Sequence, residues 1–276
     1  MTTRIVRRRE WAYPPAHVRR EVLTVAPGTA GSAGSAGSAG DEPPVLFVPG
    51  FGHGAWAFAE HWLEHTAGRG FPAYAMSPRG HGDSAPAPKA GLREYVHDVT
   101  QVAAGLPRQA VLVGHGAGAL VVAMALARYP ARAGVLVCPV FGGVGAAFGA
   151  LRRNPVGTLP ALFGGALRPR RGQLFSRELP VADAQRYAAR LGRASTRAQW
   201  QLVRHGAPED PVGKPPVLVA GSPDDRIVPR SALTAVADRY GGAPLLFPGM
   251  GHDLMLDARW REPIDAILDW LVKQSA

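Results

Sequence analysis

From residue 44 onward, short apolar runs alternate with stretches of helical periodicity, and this alternation constrains the fold more than any other sequence feature. Strands that alternate with helices predict a parallel sheet covered by helices on both faces. The apolar runs, read as buried strands, are Pro44–Val48, Pro72–Met76, Ala110–Val113, Val135–Val137, Val217–Ala220 and Leu245–Phe247. The predicted helices are Trp56–Thr66, Tyr95–Ala104, Gly118–Tyr129, Ser231–Tyr240 and Arg261–Val272.

The segments before residue 44 follow a different pattern. Ile5–Arg9 and Val18–Val25 are rich in strand-forming residues and predict an antiparallel pair ahead of the parallel strands. Gly28–Gly40 is a Gly/Ser/Ala repeat with no side chains to bury, so it predicts a flexible surface loop. Because the strand before this loop has no core of its own, residues 1–276 are expected to form a single domain.

One long segment, Phe141–Val212, interrupts the alternation of strands and helices. It is rich in Arg, Gly and Pro and contains no second series of strands. Helical periodicity is confined to the stretches near Val181–Arg190 and Thr196–His205. Insertions of this size in a compact domain are usually functional, and this segment predicts a cap, or lid, over the sheet.

The net charge of +10 is supplied largely by arginine. No nucleic-acid motif accompanies this charge, so no nucleic-acid partner is expected. Attraction to anionic substrates or lipid surfaces stays open through the arginines between Arg152 and Arg204. No apolar run reaches the ~20 residues of a membrane span. The single cysteine, Cys138, fits a reducing compartment, and a cytoplasmic location is expected; the oligomeric state is open.

The segment Val111–Leu120 joins a predicted strand to a small-residue helix through a glycine-rich turn. Its Gly114, Gly116 and Gly118 resemble the G-x-S-x-G elbow of the α/β-hydrolase fold, which carries a serine nucleophile between strand and helix. The outer glycines match, whereas Gly116 occupies the position of the serine. A dinucleotide-binding turn fits less well, because residue 119 is alanine and no acidic residue ends a following strand.

Four other segments resemble motifs of that family, and they occur in the family's order. Val48–Gly52 is similar to the oxyanion loop, and Arg79–Ser84 to the R-G-H-G-x-S turn. Gly221–Pro229 resembles the loop of the catalytic acid, and Pro248–Asp253 resembles the G-x-G-H turn of the catalytic histidine. The order nucleophile, acid, histidine is the one that this fold uses. The resemblance therefore implies a small esterase-like or lipase-like α/β-hydrolase fold with a helical cap.

The resemblance also implies roles for individual residues. His252 would be the general base, and a carboxylate would hold its tautomer and stabilise the imidazolium. Asp225 is the preferred acid because of its spacing to the Val-Pro pair, and Asp224 is the alternative because the interval from the preceding glycine is one residue longer than usual. The backbone N–H groups of Phe51 and Ala117 would face a developing oxyanion.

Other polar residues near the expected site are interpreted as structural. His115, in the variable position of the elbow, is expected to pack, and the remaining histidines and serines of the site loops to hydrogen-bond. Cys138 is open to two interpretations, a substitute nucleophile or, preferred, a buried structural thiol. The sequence predicts neither a metal site nor a cofactor. The histidines and serines are His53, His81, Ser84 and Ser222.

Glycine at position 116 has no group that attacks a carbonyl, but it adopts a positive-φ turn without strain. Three interpretations follow. The chain is an enzyme that works without a covalent intermediate, a non-catalytic relative that binds a ligand or partner, or a serine esterase whose nucleophile has been substituted. The retained acid and histidine favour an enzyme. The Phe, Leu and Trp residues of Phe141–Val212 predict a small, partly apolar substrate.

Overall fold

The computed structural model describes residues 6–11, 18–27, 42–142, 152, 154–162, 169–205 and 207–275. Its strands are β1 Val6–Trp11, β2 Arg19–Val25, β3 Val45–Val48, β4 Ala73–Ser77, β5 Val111–His115, β6 Ala133–Val137, β7 Val217–Gly221 and β8 Leu245–Leu246. They form one sheet in the order β1-β2-β4-β3-β5-β6-β7-β8. β1 pairs antiparallel with β2, and β2 with β4, whereas all other pairs are parallel. The predicted opening pair and the parallel sheet are both confirmed.

Helices cover both faces of this sheet. The described helices are α1 Trp56–Ala59, α2 Trp62–Gly68, α3 Leu92–Ala104, α4 Ala117–Leu126, α5 Pro155–Leu162, α6 Arg171–Leu174, α7 Val181–Ala189, α8 Thr196–Arg204, α9 Arg230–Arg239 and α10 Arg261–Ser275. Successive strand residues point to opposite faces, so Val45 and Phe47 join one apolar core while Leu46 and Val48 join the other. The first core includes residues of α1, α2 and α10, and the second includes residues of α3, α4 and α9.

Several helices begin or end a few residues away from the predicted positions, and two of the differences have a cause that the structure shows. The predicted helix Trp56–Thr66 is two helices, because His61 leaves the helical conformation (φ −144°, ψ −54°). The ring of His61 stacks on that of Trp260 with 4.7 Å between centroids, and this contact is made by a distant part of the sequence. Helix α3 begins three residues earlier than predicted, because the Glu94 carboxylate accepts a hydrogen bond from the Gly91 N–H and caps the first turn.

The glycines of the elbow allow α4 to pack closely against the neighbouring strands. A Cβ on Gly118 would lie 2.3 Å from the carbonyl oxygen of Pro49, and one on Gly114 would lie 2.6 Å from the carbonyl oxygen of Gly118. Both distances are shorter than any real contact of a Cβ atom with a backbone oxygen. These two positions therefore need glycine for packing.

Among the described residues of the segment between β6 and β7 there are four helices, α5 to α8. The predicted helical stretches near Val181–Arg190 and Thr196–His205 are confirmed as α7 and α8, whereas α5 and α6 were not predicted. The Gly28–Gly40 loop lies outside the described residues. Within the ranges that the structure describes, no helix is both long enough and apolar enough to span a membrane.

Candidate active site

The turn between β5 and α4 has the backbone conformation expected of a strand-to-helix elbow. Gly116 has φ +55° and ψ −123°, a conformation that side-chain-bearing residues rarely adopt. Its N–H donates a hydrogen bond to the carbonyl oxygen of Val137 (2.9 Å), and its own carbonyl accepts one from the Val140 N–H (3.0 Å). The turn is therefore fixed to the end of β6 by backbone bonds that do not depend on the side chain at position 116.

His252 and Asp225 form a buried pair beside this turn. His252 Nδ1 lies 2.7 Å from Asp225 Oδ2. The other carboxylate oxygen of Asp225 accepts backbone hydrogen bonds from Ile227 (2.7 Å) and Val228 (3.1 Å). Asp224 is exposed and accepts a hydrogen bond from the Gly249 N–H instead. Gly249 belongs to the loop that carries His252, which we call the histidine loop. Of the two acids suggested by the sequence, Asp225 is thus the one in contact with His252.

The free nitrogen of His252 faces the elbow. An ideal Cβ at Gly116 would lie 3.2 Å from His252 Nε2. Among the described residues, no protein group hydrogen-bonds to Nε2. Burial favours the neutral ring, but the adjacent carboxylate of Asp225 outweighs it and raises the pKa of His252 above its ordinary value of 6.5. The ring is therefore placed to exchange a proton with a group at Gly116.

We expect Asp225→Asn to lower turnover strongly and Asp224→Asn to leave it within a few fold. Asparagine at 225 has no carboxylate to accept the hydrogen bond from Nδ1–H and to hold the ring in this tautomer. In a serine protease the same change costs about 10⁴ in kcat. Asp224 only accepts a backbone hydrogen bond near the surface. Steady-state rates of the two variants provide the comparison, and a larger loss with Asp224→Asn would reverse the assignment of the acid.

Two backbone N–H groups lie near the elbow on the loop after β3 and at the start of α4. Gly50 Cα would be 3.8 Å from a Cβ at Gly116, and a Cβ on Gly50 would be 3.7 Å from the Ala117 nitrogen. In the described part of the chain, the N–H groups of Phe51 and Ala117 donate to no other protein group. The Phe51 ring contacts that of Tyr95 edge-on, with 6.0 Å between centroids, which fixes the loop. Their place beside Gly116 fits the oxyanion role that the resemblance implies, and that role stays a prediction.

A second buried carboxylate, Asp253, stands next to His252 and was missed by sequence reasoning. Its Oδ2 lies 3.1 Å from His53 Nε2, and its Oδ1 lies 3.4 Å from His115 Nε2. His115 Nε2 also lies 3.2 Å from the backbone carbonyl oxygen of His252. His53 therefore hydrogen-bonds, as predicted, whereas His115 contacts the histidine loop in addition to packing. The only sequence signal was the acidic residue that directly follows the G-x-G-H turn.

Charges within this cluster are set by its burial. Burial lowers the pKa of His115 to about 3, so this ring is neutral at physiological pH. Burial raises the pKa of the Asp253 carboxyl. The neighbouring histidine rings, His53 before His115, outweigh burial and lower this pKa below its ordinary value. Asp253 is therefore ionised, and its charge also contributes to the raised pKa of His252.

The remaining polar candidates have partners of their own. Ser84 Oγ donates to the carbonyl oxygen of Ser77 (2.6 Å), and Ser222 Oγ donates to that of Met250 (2.7 Å). His81 Nδ1 lies 3.3 Å from a backbone carbonyl oxygen, and burial lowers the pKa of this ring to about 4. Cys138 is fully buried with φ +45°. Burial and the nearby Asp225 carboxylate raise the pKa of this thiol, which disfavours the thiolate that nucleophilic attack requires.

In the part of the chain that the structure describes, two clusters hold three potential metal ligands each: His53 with His115 and Asp253, and Cys138 with Asp225 and His252. In both clusters a histidine nitrogen already contacts the carboxylate at hydrogen-bond distance. A metal ion would have to replace these hydrogen bonds. The expectation of no metal site stays a prediction.

Sequence reasoning overlooked the H-x-x-x-H spacing of His61 and His65, which can hold a metal on a helix. The two rings line a surface cavity of about 460 Å³ beside Trp260. Their Nε2 atoms have different partners, since that of His61 lies 3.3 Å from the Tyr187 hydroxyl and that of His65 lies 2.7 Å from Asp265 Oδ1. The spacing therefore does not bring these two nitrogens to one point.

The segment that contains α6 to α8 contacts loops on both sides of the site. The Gly192 N–H donates to the carbonyl oxygen of Gly52 (2.7 Å), next to Phe51. The Asp253 N–H donates to the carbonyl oxygen of Leu174 (2.9 Å). These contacts join the segment to both the loop after β3 and the histidine loop.

Comparison with known proteins gives the family. The sequence model of the alpha/beta hydrolase family matches residues 45–268. No curated protein matches the sequence significantly. Three solved structures are similar in fold: a monoacylglycerol lipase of Paleococcus ferrophilus (22% identity, TM-score 0.65, 84% of this chain and 96% of that one), an esterase of Thermogutta terrifontis (19%, 0.66, 99% and 100%) and a bromoperoxidase of Bacillus anthracis (14%, 0.69, 94% and 96%). With its parallel sheet, its elbow and the match over most of its length, the chain belongs to the alpha/beta hydrolase family.

Proposed function

We propose that the chain is an enzyme that acts on a small, partly apolar ester-like or carbonyl compound without a covalent intermediate. The observation that carries this proposal is the position of His252 Nε2 beside Gly116, where a Cβ would lie 3.2 Å from the nitrogen and, within the described residues, no protein group hydrogen-bonds to it. A water molecule or a substrate hydroxyl that hydrogen-bonds to this nitrogen would be within reach of a general base. The buried carboxylate of Asp225 on Nδ1 supports that role.

For hydrolysis, the proposed reaction is a single displacement. The water oxygen attacks the substrate carbonyl carbon while His252 Nε2 takes one of its protons. The oxyanion that forms accepts hydrogen bonds from the Phe51 and Ala117 N–H groups, and Asp225 stabilises the imidazolium. Collapse of the tetrahedral intermediate breaks the bond to the leaving group, which takes the proton from Nε2. Lyase and rearrangement reactions would use the same base on a substrate proton.

We also propose that residues 141–212 form a cap over the site. The contacts of this segment with Gly52 and Asp253 support that role. A further contact also supports it. The guanidinium of Arg190, the residue after α7, lies 4.3 Å from the ring centroid of Trp56 in α1, and the Trp56 ring stacks on that of His53. Such a cap would exclude water from the reacting groups and favour a partly apolar substrate.

The pH dependence of the rate tests this role of His252. Only the neutral ring accepts a proton, so the rate should rise with pH and level off above a pKa higher than 6.5. We expect Asp253→Asn to shift the midpoint to lower pH, because the buried negative charge that favours the imidazolium is removed while Asp225 stays in place. Asp238→Asn, an exposed acid of α9, is the matched control. A pH-independent rate in the parent protein would contradict the proposal.

A second candidate is a serine esterase in which glycine has replaced the nucleophile. The observation that favours it is the elbow itself, which keeps φ +55° and ψ −123° although glycine has no need of that conformation. Parent and serine variants distinguish the two candidates. A parent protein with no turnover of any ester, combined with a fast Gly116→Ser variant, would favour the substituted esterase. Inertness of both would favour a ligand-binding protein.

A further inference from the structure

A large share of the positive charge of the chain lies in the segment between β6 and β7. Residues 141–212 contain eleven arginines and four acidic residues, whereas the whole chain has a net charge of +10. Several of the arginines, among them Arg170, Arg177 and Arg193, are exposed. The segment therefore has a surplus of seven positive charges, and residues 1–20, with six arginines and one glutamate, carry the other surplus of the chain.

Exposed apolar side chains are concentrated in the same segment. Of the six large apolar side chains that are most exposed among the described residues, five lie between 141 and 212. They include Val156, which is 76% exposed, Leu159 at 44% and Trp200 at 37%. Water-exposed apolar groups that cluster in this way usually mark a contact surface.

Two packed helices combine these two properties. Helix α5 contacts α8 and exposes Val156 and Leu159, which are three residues apart and so share one side of the helix. Helix α8 exposes Arg197, Trp200 and Arg204, which also lie on one side, and buries Ala198 and Leu202 on the other. The Arg204 guanidinium lies 5.5 Å from the Trp200 ring centroid. We call the five exposed residues the α5–α8 surface.

We propose that the α5–α8 surface docks onto a lipid surface that carries anionic headgroups. Arginines would pair with the phosphates, while the apolar side chains would enter the boundary between headgroups and acyl chains. A tryptophan with a polar edge suits that boundary. A nucleic acid would satisfy the arginines but not the exposed Val156 and Leu159, so the apolar component favours lipid. This proposal does not depend on the chemistry of the candidate active site.

Vesicle flotation of the full chain tests the proposal. We expect binding to vesicles of phosphatidylcholine mixed with phosphatidylglycerol and little binding to pure phosphatidylcholine. Because an arginine near an anionic surface contributes about 1 kcal/mol, Arg197→Gln with Arg204→Gln should lower the partition coefficient about 30-fold. Val156→Ser with Leu159→Ser should also lower it, since these side chains are exposed and their loss leaves the core intact.

The matched control is Arg230→Gln with Arg261→Gln, which removes the same charge from exposed positions outside the segment. It should bind vesicles nearly as well as the parent protein. Equal loss in the control would mean that net charge alone is responsible and would overturn the proposal. So would the absence of binding to phosphatidylglycerol vesicles. Tight binding of short duplex DNA that is insensitive to the Val156→Ser and Leu159→Ser changes would assign the arginines to nucleic acid instead.

Discussion

Gly116→Ser should increase the rate of aryl-ester hydrolysis by about 10³-fold or more, because loss of the nucleophile costs roughly 10⁶ in kcat in a serine-hydrolase triad. The new Cβ would lie 3.2 Å from His252 Nε2, so the hydroxyl would stand beside the base. The cost should be about 1–3 kcal/mol of stability, because serine would take the positive φ that glycine adopts without strain. Initial rates with 4-nitrophenyl acetate and thermal unfolding measure the two effects.

Two variants control this experiment. Gly116→Ala adds the same Cβ and the same backbone strain without a hydroxyl, so it should lose stability and gain no activity. Gly116→Ser combined with His252→Ala should lose most of the gain, because the hydroxyl is no longer activated. A folded serine variant that is no faster than the alanine variant would mean that His252 or the oxyanion groups are not positioned for acyl transfer.

Gly118→Ala should destabilise the fold by about 3 kcal/mol or more, which is at the upper end of what overpacking costs. Its Cβ would lie 2.3 Å from the carbonyl oxygen of Pro49 and 2.8 Å from that of Val48, and backbone atoms cannot rotate away as a side chain does. The midpoint of thermal unfolding should fall by roughly 6–12 °C. Calorimetry of parent and variant gives this difference.

Gly68→Ala is the matched control for this prediction. Gly68 lies in the last turn of α2, and a Cβ there would meet nothing within 4 Å. Alanine is the better helix former, so the control should keep or slightly raise the stability. If Gly118→Ala were as stable as the parent protein, the close approach of α4 to the loop after β3 would be wrong.

The central sheet was predictable because its strands are short apolar runs whose signals are local. The six runs from Pro44 to Phe247 correspond to β3 to β8, and the order of the loop motifs indicated which loops meet at the carboxyl edge. Interactions between distant residues were not predictable. At the break between α1 and α2, His61 stacks on Trp260, and neither residue contains a signal of the other. Helix α5 has Pro160 in its interior, which argues against a helix locally.

The site shows the same division between local and distant signals. Motif spacing selected His252 but did not decide whether Asp224 or Asp225 is the acid. Two neighbouring residues of a loop share one sequence context, whereas their side chains point in different directions. The contact between Asp225 and His252 depends on how the turn after β7 is folded. Asp253 escaped notice because its partners, His53 and His115, come from two other loops that meet only in the folded chain.

The role of His252 as a general base beside Gly116 is tested most directly by the turnover of activated esters by the parent protein and by His252→Ala. His97→Ala, which changes a histidine of α3 outside the site, is the control. We expect a loss of about 10²-fold or more with His252→Ala and none with the control, because a general base contributes 10²–10⁴-fold. Equal turnover by parent and His252→Ala proteins would contradict it.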